Sequence, residues 1–282
     1  MRKAELVMHF CKMLSYVLYI ITILGAFSIK THAQGPMPDE IARDMMSCNA
    51  FTVPVSEATA ETEDNLMQTA LGVRPATVQI QVGSEYGTGN IISINNEKIT
   101  IITAKHVVKK WDDEKSNYVI FYNGAIADAA LEAVDGYYDA AVISVKTADV
   151  DDFNLIRLRK IQLDYNIIND FDQKKNEVVF SLDSEHVVNA KETQTYEYYG
   201  NSTGIGGKYI YGRVINPDIM VNDYGYNMVY VKCDAHSGMS GGGVFDIDGN
   251  YVGMLVGGSD KKEMVAVRLS DIKEMVTSLG LD

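Results

Sequence analysis

The sequence predicts an all-β fold, either a sandwich or a barrel, with one helix at the C-terminal end. From residue 73 onward, short runs rich in β-branched and aromatic residues are separated by Gly, Asn and Asp, which is typical of many short strands. Asn95-Asn96 and Asp248-Gly249 stand where hairpin turns are expected. Residues 270–279 change to helical spacing, with Ser270 as a candidate cap.

These patterns predict a series of strands and two helices. The strands are predicted at 76–82, 89–94, 98–103, 118–122, 140–145, 177–182, 195–199, 209–215, 228–233, 243–246, 251–256 and 264–268. The helices are predicted at 59–71 and 270–279, and each is followed by a glycine. Residues 145–244 contain more chain than the first cluster of strands, so we expect insertions in the second cluster.

The first 33 residues have the three-part layout of a secretory signal peptide. Arg2 and Lys3 give a positive start, residues 13–29 carry no charge, and the segment ends in the small residue Ala33. The alternative is an uncleaved membrane anchor, since 17 uncharged residues lie at the short limit for crossing a bilayer. The sequence therefore predicts an exported protein, secreted or periplasmic, with anchoring by residues 13–29 as the alternative.

The charge balance excludes one class of partner. The whole chain has a net charge of −13, and removal of residues 1–33 leaves 21 basic and 37 acidic residues, a net charge of −16. Such a surface repels nucleic acids and anionic membranes. We therefore expect no nucleic-acid partner, and membrane contact only if the N-terminal segment stays attached.

Cys48 and Cys233 are the cysteines that remain after residue 33. An oxidising compartment would permit a disulfide between them. The alternative is two small apolar side chains in the core. Their spacing does not establish that the two Cα atoms come close, so both interpretations stay open.

The sharpest chemical signal is the run Gly238-Met239-Ser240-Gly241-Gly242, which lies between two predicted strands. Glycines allow backbone N–H groups to point inward together, so the amides of Gly238 and Ser240 could hold the oxyanion of a tetrahedral intermediate. The nucleophile elbow of α/β-hydrolases has a similar string but requires a helix after the serine. Here a strand is predicted instead, which argues against that fold.

Serine needs a base, and the base needs an orienting carboxylate. Of the histidines after residue 33, His106 directly follows an apolar strand, His186 lies among polar residues, and His236 is only four residues from Ser240. His106 is therefore the candidate base. Asp139 leads directly into an apolar strand between His106 and Ser240, which makes it the candidate orienting carboxylate.

These segments, in the order His, Asp, Ser, resemble the trypsin-like serine proteases, especially the bacterial branch that includes the HtrA/Deg and V8-type enzymes. The resemblance rests on GTG at 87–89, TAKHVV at 103–108, DAAV at 139–142 and GMSGGGVF at 238–245. It spans about residues 73–280. It implies two six-stranded antiparallel β-barrels, about 73–150 and 157–268, a helix at about 270–279, and a serine endopeptidase with the triad His106, Asp139 and Ser240.

Several positions depart from the family pattern. Lys105 precedes the histidine where a small residue is usual, and Gly243 stands where proline is common. Met239 stands where the animal digestive enzymes place an aspartate that pairs with a new N-terminus, so that route of activation is not expected. The 42 residues after Ser240 can complete the second barrel and the helix but leave no room for a PDZ domain.

Residues 34–72 are punctuated by glycine and prolines and form a leader to the peptidase-like region. Three interpretations stay open: a removed propeptide, a docking arm, or an outer part of the first barrel.

The resemblance also points to a primary specificity pocket but leaves its preference open. Asp234 lies where the family places the pocket floor, and a carboxylate there would favour Lys or Arg. His236 would instead favour an acidic side chain. The segment with Val256, Gly257 and Gly258 resembles the strand that lines the pocket. Basic, acidic and small apolar preferences all remain open.

Two other functions are considered. A trypsin-like domain without activity could act as a protein-binding module, because a fold does not dictate function. An esterase on another fold is disfavoured by the strands around Ser240. No cofactor or metal is predicted, since Cys233, Asp234 and His236 lack the second ligand pair of a closed zinc site.

Overall fold

The computed structural model describes residues 38–48, 50–53, 55, 60–173, 175–184 and 208–280. The chain divides into two compact units, residues 1–40 and 41–282. The strands among the described residues lie in the second unit. The predicted signal segment 1–33, the predicted strand at 195–199 and His186 lie outside the described residues.

Two helices precede the strands, α1 at Pro38–Ser47 and α2 at Glu63–Val73. No helix is predicted before residue 59, but Pro38 begins α1, because proline lacks only an N–H that the first helical turn does not use. Helix α2 begins later than the predicted residue 59, because the side chain of Thr62 caps it by accepting the backbone N–H of Asn65 at 3.3 Å. A 3₁₀ turn at Arg74–Ala76 then leads into the first strand.

Six antiparallel strands close the first barrel in the order β1-β2-β3-β6-β5-β4. Their bounds are β1 Thr77–Val82, β2 Glu85–Ile94, β3 Lys98–Thr103, β4 Asn117–Phe121, β5 Ile126–Val134 and β6 Ala141–Lys146. Closure is possible because β1 pairs with both β2 and β4. Fully buried side chains such as Ile80, Ile101 and Ile143 belong to the core around these strands.

The second barrel closes in the order β10-β11-β12-β9-β8-β7. Its strands are β7 Val178–Asp183, β8 Lys208–Val221, β9 Tyr226–Lys232, β10 Gly243–Asp246, β11 Tyr251–Ser259 and β12 Glu263–Arg268. A separate apolar cluster that includes Val179, Val231, Val244 and Leu255 belongs to this barrel. The strand order repeats that of the first barrel, with β7 in the place of β1 and so on through β12.

Strand β5 is not predicted by the sequence. Its letters, IADAALEAV, are rich in Ala, Leu and Glu, which favour helix. Exposure nevertheless alternates along the strand, and its pairing with β4 and β6 completes the barrel. Closure of the sheet therefore overrides local propensity here.

The two predicted hairpin turns are confirmed. Asn95 and Asn96 join β2 to β3, and the Asn95 side chain accepts the backbone N–H groups of Glu97 and Lys98, both at 2.9 Å. Gly249 lies in the turn from β10 to β11 with φ of +91°, which a glycine adopts without strain.

Helix α5 spans Leu269–Ser278 and buries Ile272, Met275 and Val276. Shorter segments are α3 Asp152–Leu155, α4 Ile168–Phe171, and 3₁₀ turns at Thr147–Asp149 and Tyr165–Ile167. The prediction of a chain built on two six-stranded barrels with a C-terminal helix is confirmed. Among the described helices, none has the length and apolar character needed to cross a membrane.

Cys48 is exposed and Cys233 is buried, and each thiol is unpaired. The structure therefore does not support the disulfide that the sequence left open.

Candidate active site

Three loops carry the residues predicted for catalysis. His106 lies in the turn after β3, Asp139 in the loop between β5 and β6, and Ser240 in the loop between β9 and β10. The first two loops belong to the first barrel and the third belongs to the second. A site formed from these side chains therefore depends on how the two barrels pack together.

Short hydrogen bonds build the turn that carries His106. The N–H of Val107 donates to the carbonyl of Ala104 at 3.1 Å, and the N–H of Val108 donates to that of Lys105 at 3.2 Å. Both valines are buried and anchor the turn, whereas the side chain of His106 is 44% exposed. The buried valines thus fix the backbone of the turn, while the imidazole of His106 stays accessible to a ligand.

Asp139 accepts two hydrogen bonds from His106. One carboxylate oxygen accepts the backbone N–H of His106 at 2.9 Å, and the other lies 2.7 Å from Nδ1 of its ring. An ionised carboxylate can only accept, so Nδ1 carries a proton and Nε2 of the neutral ring is the free basic nitrogen. The two contacts fix both the tautomer and the ring orientation.

A tyrosine of the second barrel supports the Asp139 loop. The hydroxyl of Tyr226, in β9, accepts the backbone N–H of Asp139 at 3.0 Å. Burial raises the pKa of Tyr226 to about 12, so this hydroxyl is neutral at physiological pH.

An open pocket of about 590 Å³ lies beside the His106–Asp139 pair. His106 and Asp139 themselves line it, together with Lys105, Lys109 and Asp223. Four tyrosines also line it, namely Tyr137, Tyr138, Tyr224 and Tyr226. Aromatic faces with polar tips suit an extended peptide, because they offer apolar surface and hydrogen bonds together.

The loop that carries Ser240 uses glycine at two positions. Gly238 and Gly241 have φ of +93° and +87°, values that other residues rarely adopt. The N–H of Gly241 donates to the carbonyl of Leu255 at 2.7 Å, and the N–H of Leu255 returns a bond to the carbonyl of Gly242 at 2.8 Å. The loop is therefore hydrogen-bonded to β11 at two consecutive residues.

Thr88 fastens the same loop to the first barrel. Its backbone N–H donates to the carbonyl of Ser240 at 2.8 Å, and its hydroxyl donates to the carbonyl of Gly238 at 2.8 Å. The hydroxyl also lies 2.6 Å from that of Ser184. All of these residues except Ser240 are buried. Strand β2 of the first barrel therefore holds the loop that carries Ser240 in the second.

Three groups in the loop of Ser240 are available for a substrate as far as the described residues show. Within the described residues, the backbone amides of Gly238 and Ser240 donate no hydrogen bond, and the hydroxyl of Ser240 makes none. Gly238 follows Ser237 in a turn closed by the N–H of Met239 on the carbonyl of His236 at 3.3 Å. The positive φ of Gly238 makes this a type II turn.

Gly87 brings the loop of Ser240 beside the turn of His106. A Cβ placed on Gly87 would lie 2.5 Å from a methyl group of Val107 and 3.1 Å from the carbonyl oxygen of Ser240. Val107, the neighbour of His106, and the backbone of Ser240 thus both lie next to Gly87, and only a glycine fits between them. Gly241 is similarly close to the strand before His106, since its Cβ would lie 2.8 Å from the backbone nitrogen of Ala104.

The structure contains a second His–Asp pair that the sequence does not predict. Nε2 of His236 lies 2.9 Å from a carboxylate oxygen of Asp183, whose side chain is fully buried. This pair adjoins the turn of Gly238, and the ring of His236 is 44% exposed. The nitrogen that faces Asp183 is Nε2, whereas in His106 the nitrogen that faces Asp139 is Nδ1.

The residues predicted to line a specificity pocket fall in different surroundings. Asp234 is 66% exposed and forms an ion pair with Lys262 at 3.1 Å. The carbonyl of Val256 accepts the hydroxyl of Tyr224 at 3.0 Å. A Cβ on Gly257 would lie 2.6 Å from that same hydroxyl.

Gly258 lies against the segment that leads to Ser240. A Cβ placed on it would be 3.2 Å from both the Cβ and the carbonyl oxygen of Ala235. The two segments that would flank a specificity pocket therefore approach closely at this point.

Sequence reasoning missed Thr88, Asp183 and Tyr226. Thr88 stands inside the GTG run at 87–89, so its place between two glycines was a usable signal. Asp183 and Tyr226 carry no such signal, because their contacts with His236 and Asp139 join distant parts of the chain. Within the described part of the chain, no group of three or more His, Cys, Asp or Glu side chains is arranged to hold a metal.

Two barrels of identical topology, with a His–Asp pair on one and a glycine-bounded serine on the other, define the class of the protein as a two-barrel peptidase. The family described as "Trypsin-like peptidase domain" matches residues 87–254, and the chain belongs to this family.

Solved structures confirm the fold. The inactive form of the protease Rv3671c from Mycobacterium tuberculosis is 16% identical over 81% of this chain and all of that chain, with a TM-score of 0.54. A serine-to-alanine mutant of the same protein, also described as an inactive form, is 15% identical over 80% of this chain and 97% of that chain, again with a TM-score of 0.54. No curated protein sequence matches the chain.

Proposed function

We propose that the protein is an exported serine endopeptidase that hydrolyses peptide bonds through His106, Asp139 and Ser240. The observation that carries the proposal is the double hydrogen bond from His106 to Asp139, at 2.9 and 2.7 Å. It presents Nε2 as a base in the barrel that contacts the loop of Ser240. Membership of the trypsin-like peptidase family supports this proposal.

In the proposed reaction, Nε2 of His106 takes the proton of the Ser240 hydroxyl as its oxygen attacks the peptide carbonyl. The negative charge that develops on the carbonyl oxygen is received by the amides of Gly238 and Ser240, which the described chain leaves unused. His106 then gives its proton to the departing amine, leaving an acyl group on Ser240. Water, activated by the same imidazole, releases the acid and restores the serine.

A fluorophosphonate probe tests the nucleophile and the base together. Ser240→Ala and His106→Ala should each abolish labelling of the full chain, because the serine needs both its oxygen and its base. His236→Ala is a matched control, since it removes a histidine that also pairs with an aspartate. We expect this control to keep at least a tenth of the labelling rate, because His236 pairs with Asp183 and not with Asp139, which orients the proposed base.

Three results would contradict the assignment. Labelling that survives Ser240→Ala would place the nucleophile elsewhere. Loss of labelling in His236→Ala with retention in His106→Ala would make His236 the base. Absence of labelling in folded wild-type protein would reject the catalytic proposal altogether.

That last outcome would favour the second candidate, a trypsin-like domain that binds protein without cleaving it. One observation supports this candidate: within the described residues the hydroxyl of Ser240 makes no hydrogen bond, so none joins it to His106. Catalytic hydrogen bonds are often long before substrate binds, which is why we rank the endopeptidase first.

For the residue before the scissile bond, we infer a preference for small apolar side chains. The approach of Gly258 to Ala235 supports this, because it leaves little width between the segments that would flank the side chain. The exposure of Asp234 and its pairing with Lys262 argue against a buried carboxylate that selects Lys or Arg. A peptide-library cleavage profile tests the inference.

We also propose export, supported by the layout of residues 1–33 in the sequence. N-terminal sequencing of the active protein recovered outside the cytoplasm should begin at Gln34 if the signal peptide is cleaved after Ala33. A start near residue 73 would show instead that residues 34–72 are removed as a propeptide. An intact N-terminus in the membrane fraction would favour anchoring.

A further inference from the structure

Asp139 is held at two points by residues from different barrels. Its carboxylate accepts two hydrogen bonds from His106 of the first barrel, and its backbone N–H donates to the hydroxyl of Tyr226 of the second. Tyr226 is only 4% exposed. We propose that Tyr226 is a positioning residue that sets Asp139, and through it His106, relative to the barrel that carries Ser240; this rests on the proposed function.

The two residues just before Asp139 also form hydrogen bonds, one to the second barrel and one to α5. The hydroxyl of Tyr137 donates to the carbonyl of Gly225 at 3.3 Å, and that of Tyr138 donates to the carboxylate of Glu274, in α5, at 3.2 Å. The loop between β5 and β6 is therefore bonded at three consecutive residues to the second barrel or to α5. Only the bond from Tyr226 reaches Asp139 itself.

The ring of Tyr226 is fixed by its neighbours. Its centroid lies 5.1 Å from that of Tyr138 at 83°, 5.7 Å from that of Tyr137, and 6.0 Å from that of Tyr224. Edge-on aromatic packing of this kind restricts rotation of the ring. The hydroxyl consequently presents its lone pair to the Asp139 amide from one direction.

The position of Tyr226 along the chain explains why this bond can act on catalysis. Tyr226 begins β9, the strand that leads into the loop of Ser240. The bond to Asp139 therefore joins the start of the nucleophile's own strand to the residue that orients the base. Loss of the hydroxyl would leave the backbone N–H of Asp139 without its acceptor. The loop between β5 and β6 would then shift until this N–H meets another acceptor.

The experiment compares Tyr226→Phe with wild type in the full chain, using a fluorophosphonate probe. We expect the maximal labelling rate of Ser240 to fall about tenfold, with the half-saturating probe concentration changed less than twofold, because the base is misplaced while the binding surface keeps its ring. Tyr251→Phe is the matched control, since Tyr251 is fully buried and its hydroxyl has no partner within the described residues. It should label at the wild-type rate.

A double-mutant cycle separates positioning from a general structural effect. If Tyr226 acts through Asp139, Tyr226→Phe should cost less than twofold in a protein that already carries Asp139→Asn. A full tenfold further loss in that background would overturn the proposal. So would a wild-type labelling rate in Tyr226→Phe alone.

A readout without catalysis keeps the test separate from the proposed function. Proton NMR of the hydrogen on Nδ1 of His106 should show a sharp, protected signal in wild type and in Tyr251→Phe, and a weakened one in Tyr226→Phe. If wild type gives this signal but is not labelled, the endopeptidase proposal fails while the positioning role stands. An unchanged signal in Tyr226→Phe would refute the positioning role whatever the activity.

Discussion

The carboxylate of Asp139 binds both the backbone amide and the ring of His106, at 2.9 and 2.7 Å. Asp139→Asn keeps the shape of this side chain but replaces one oxygen by a donor, which would favour the wrong tautomer of the ring. We expect kcat to fall by about 10⁴ at neutral pH, with the free energy of unfolding changed by less than about 2 kcal/mol. Steady-state hydrolysis of a fluorogenic peptide measures the first quantity and urea unfolding the second.

A loss of less than about tenfold in kcat would show that another residue orients the base. Asp135→Asn provides the control. Within the described residues, the side chain of Asp135, which lies in the same loop, bonds only to the backbone N–H groups of Tyr137 and Tyr138. Its substitution should change turnover by less than about tenfold.

Gly241 combines a positive φ with a site that has no room for a side chain. A Cβ there would collide with the carbonyl oxygen of Thr88 and the hydroxyl of Thr103. Gly241→Ala should therefore cost about 3–5 kcal/mol of unfolding free energy, from backbone strain and overpacking together. Guanidinium unfolding curves measure it.

Gly83 isolates the backbone part of that cost. Its φ is +60°, and a Cβ on it would meet nothing within 4 Å. Gly83→Ala should cost only about 1–2 kcal/mol. Equal losses in the two variants would mean that the loop of Ser240 yields easily, contrary to the packing described above.

The hydroxyl of Thr88 connects the two barrels beneath the proposed oxyanion site. Thr88→Val removes its bonds to the carbonyl of Gly238 and to Ser184, and leaves the buried carbonyl of Gly238 without this donor. We expect a loss of about 1–3 kcal/mol in unfolding free energy and a slower rate of probe labelling. Thr100→Val is the control, because Thr100 is 2% exposed and its hydroxyl makes no hydrogen bond among the described residues. A labelling rate in Thr88→Val equal to that of the control would show that the carbonyl of Gly238 does not need this support.

The sequence predicted most of the strands because their signals are local. Alternating β-branched residues and the hairpin dipeptides near residues 95 and 248 do not depend on distant contacts. Strand β5 has no such local signal, since its Ala-rich sequence favours helix. It forms a strand because its pairing with β4 and β6 closes the barrel. Helix α1 was missed because proline at a first helical position looks the same in sequence as proline in a loop.

The candidate site divides in the same way. His106, Asp139 and Ser240 stand beside strands with clear patterns, and their motifs follow one another in a recognisable order. The residues that hold them do not. Tyr226 supports Asp139 through a hydrogen bond between residues 87 positions apart along the chain, and no local pattern encodes such a contact.

The close approach of Gly258 to Ala235 predicts the relative rates of cleavage of matched peptides. Peptides with alanine before the scissile bond should be cleaved at least about tenfold faster, in kcat/KM, than those with lysine or glutamate there. The comparison uses fluorogenic peptides that differ only at that residue. Faster cleavage after lysine would restore Asp234 as the selecting group, and faster cleavage after glutamate would restore His236.

The two cysteines should differ strongly in reactivity. Burial raises the pKa of Cys233 to about 12, whereas Cys48 is exposed. At pH 8 only about one Cys233 thiol in ten thousand is ionised, and the thiolate is the species that reacts. In a Cys11→Ser protein, iodoacetamide should modify Cys48 within minutes and Cys233 only after unfolding, as peptide mass spectrometry would show. Recovery of a Cys48–Cys233 disulfide from the non-reduced protein would contradict the expected difference in reactivity. Both cysteines would then be protected from iodoacetamide, and the exposed Cys48 would have to lie beside the buried Cys233.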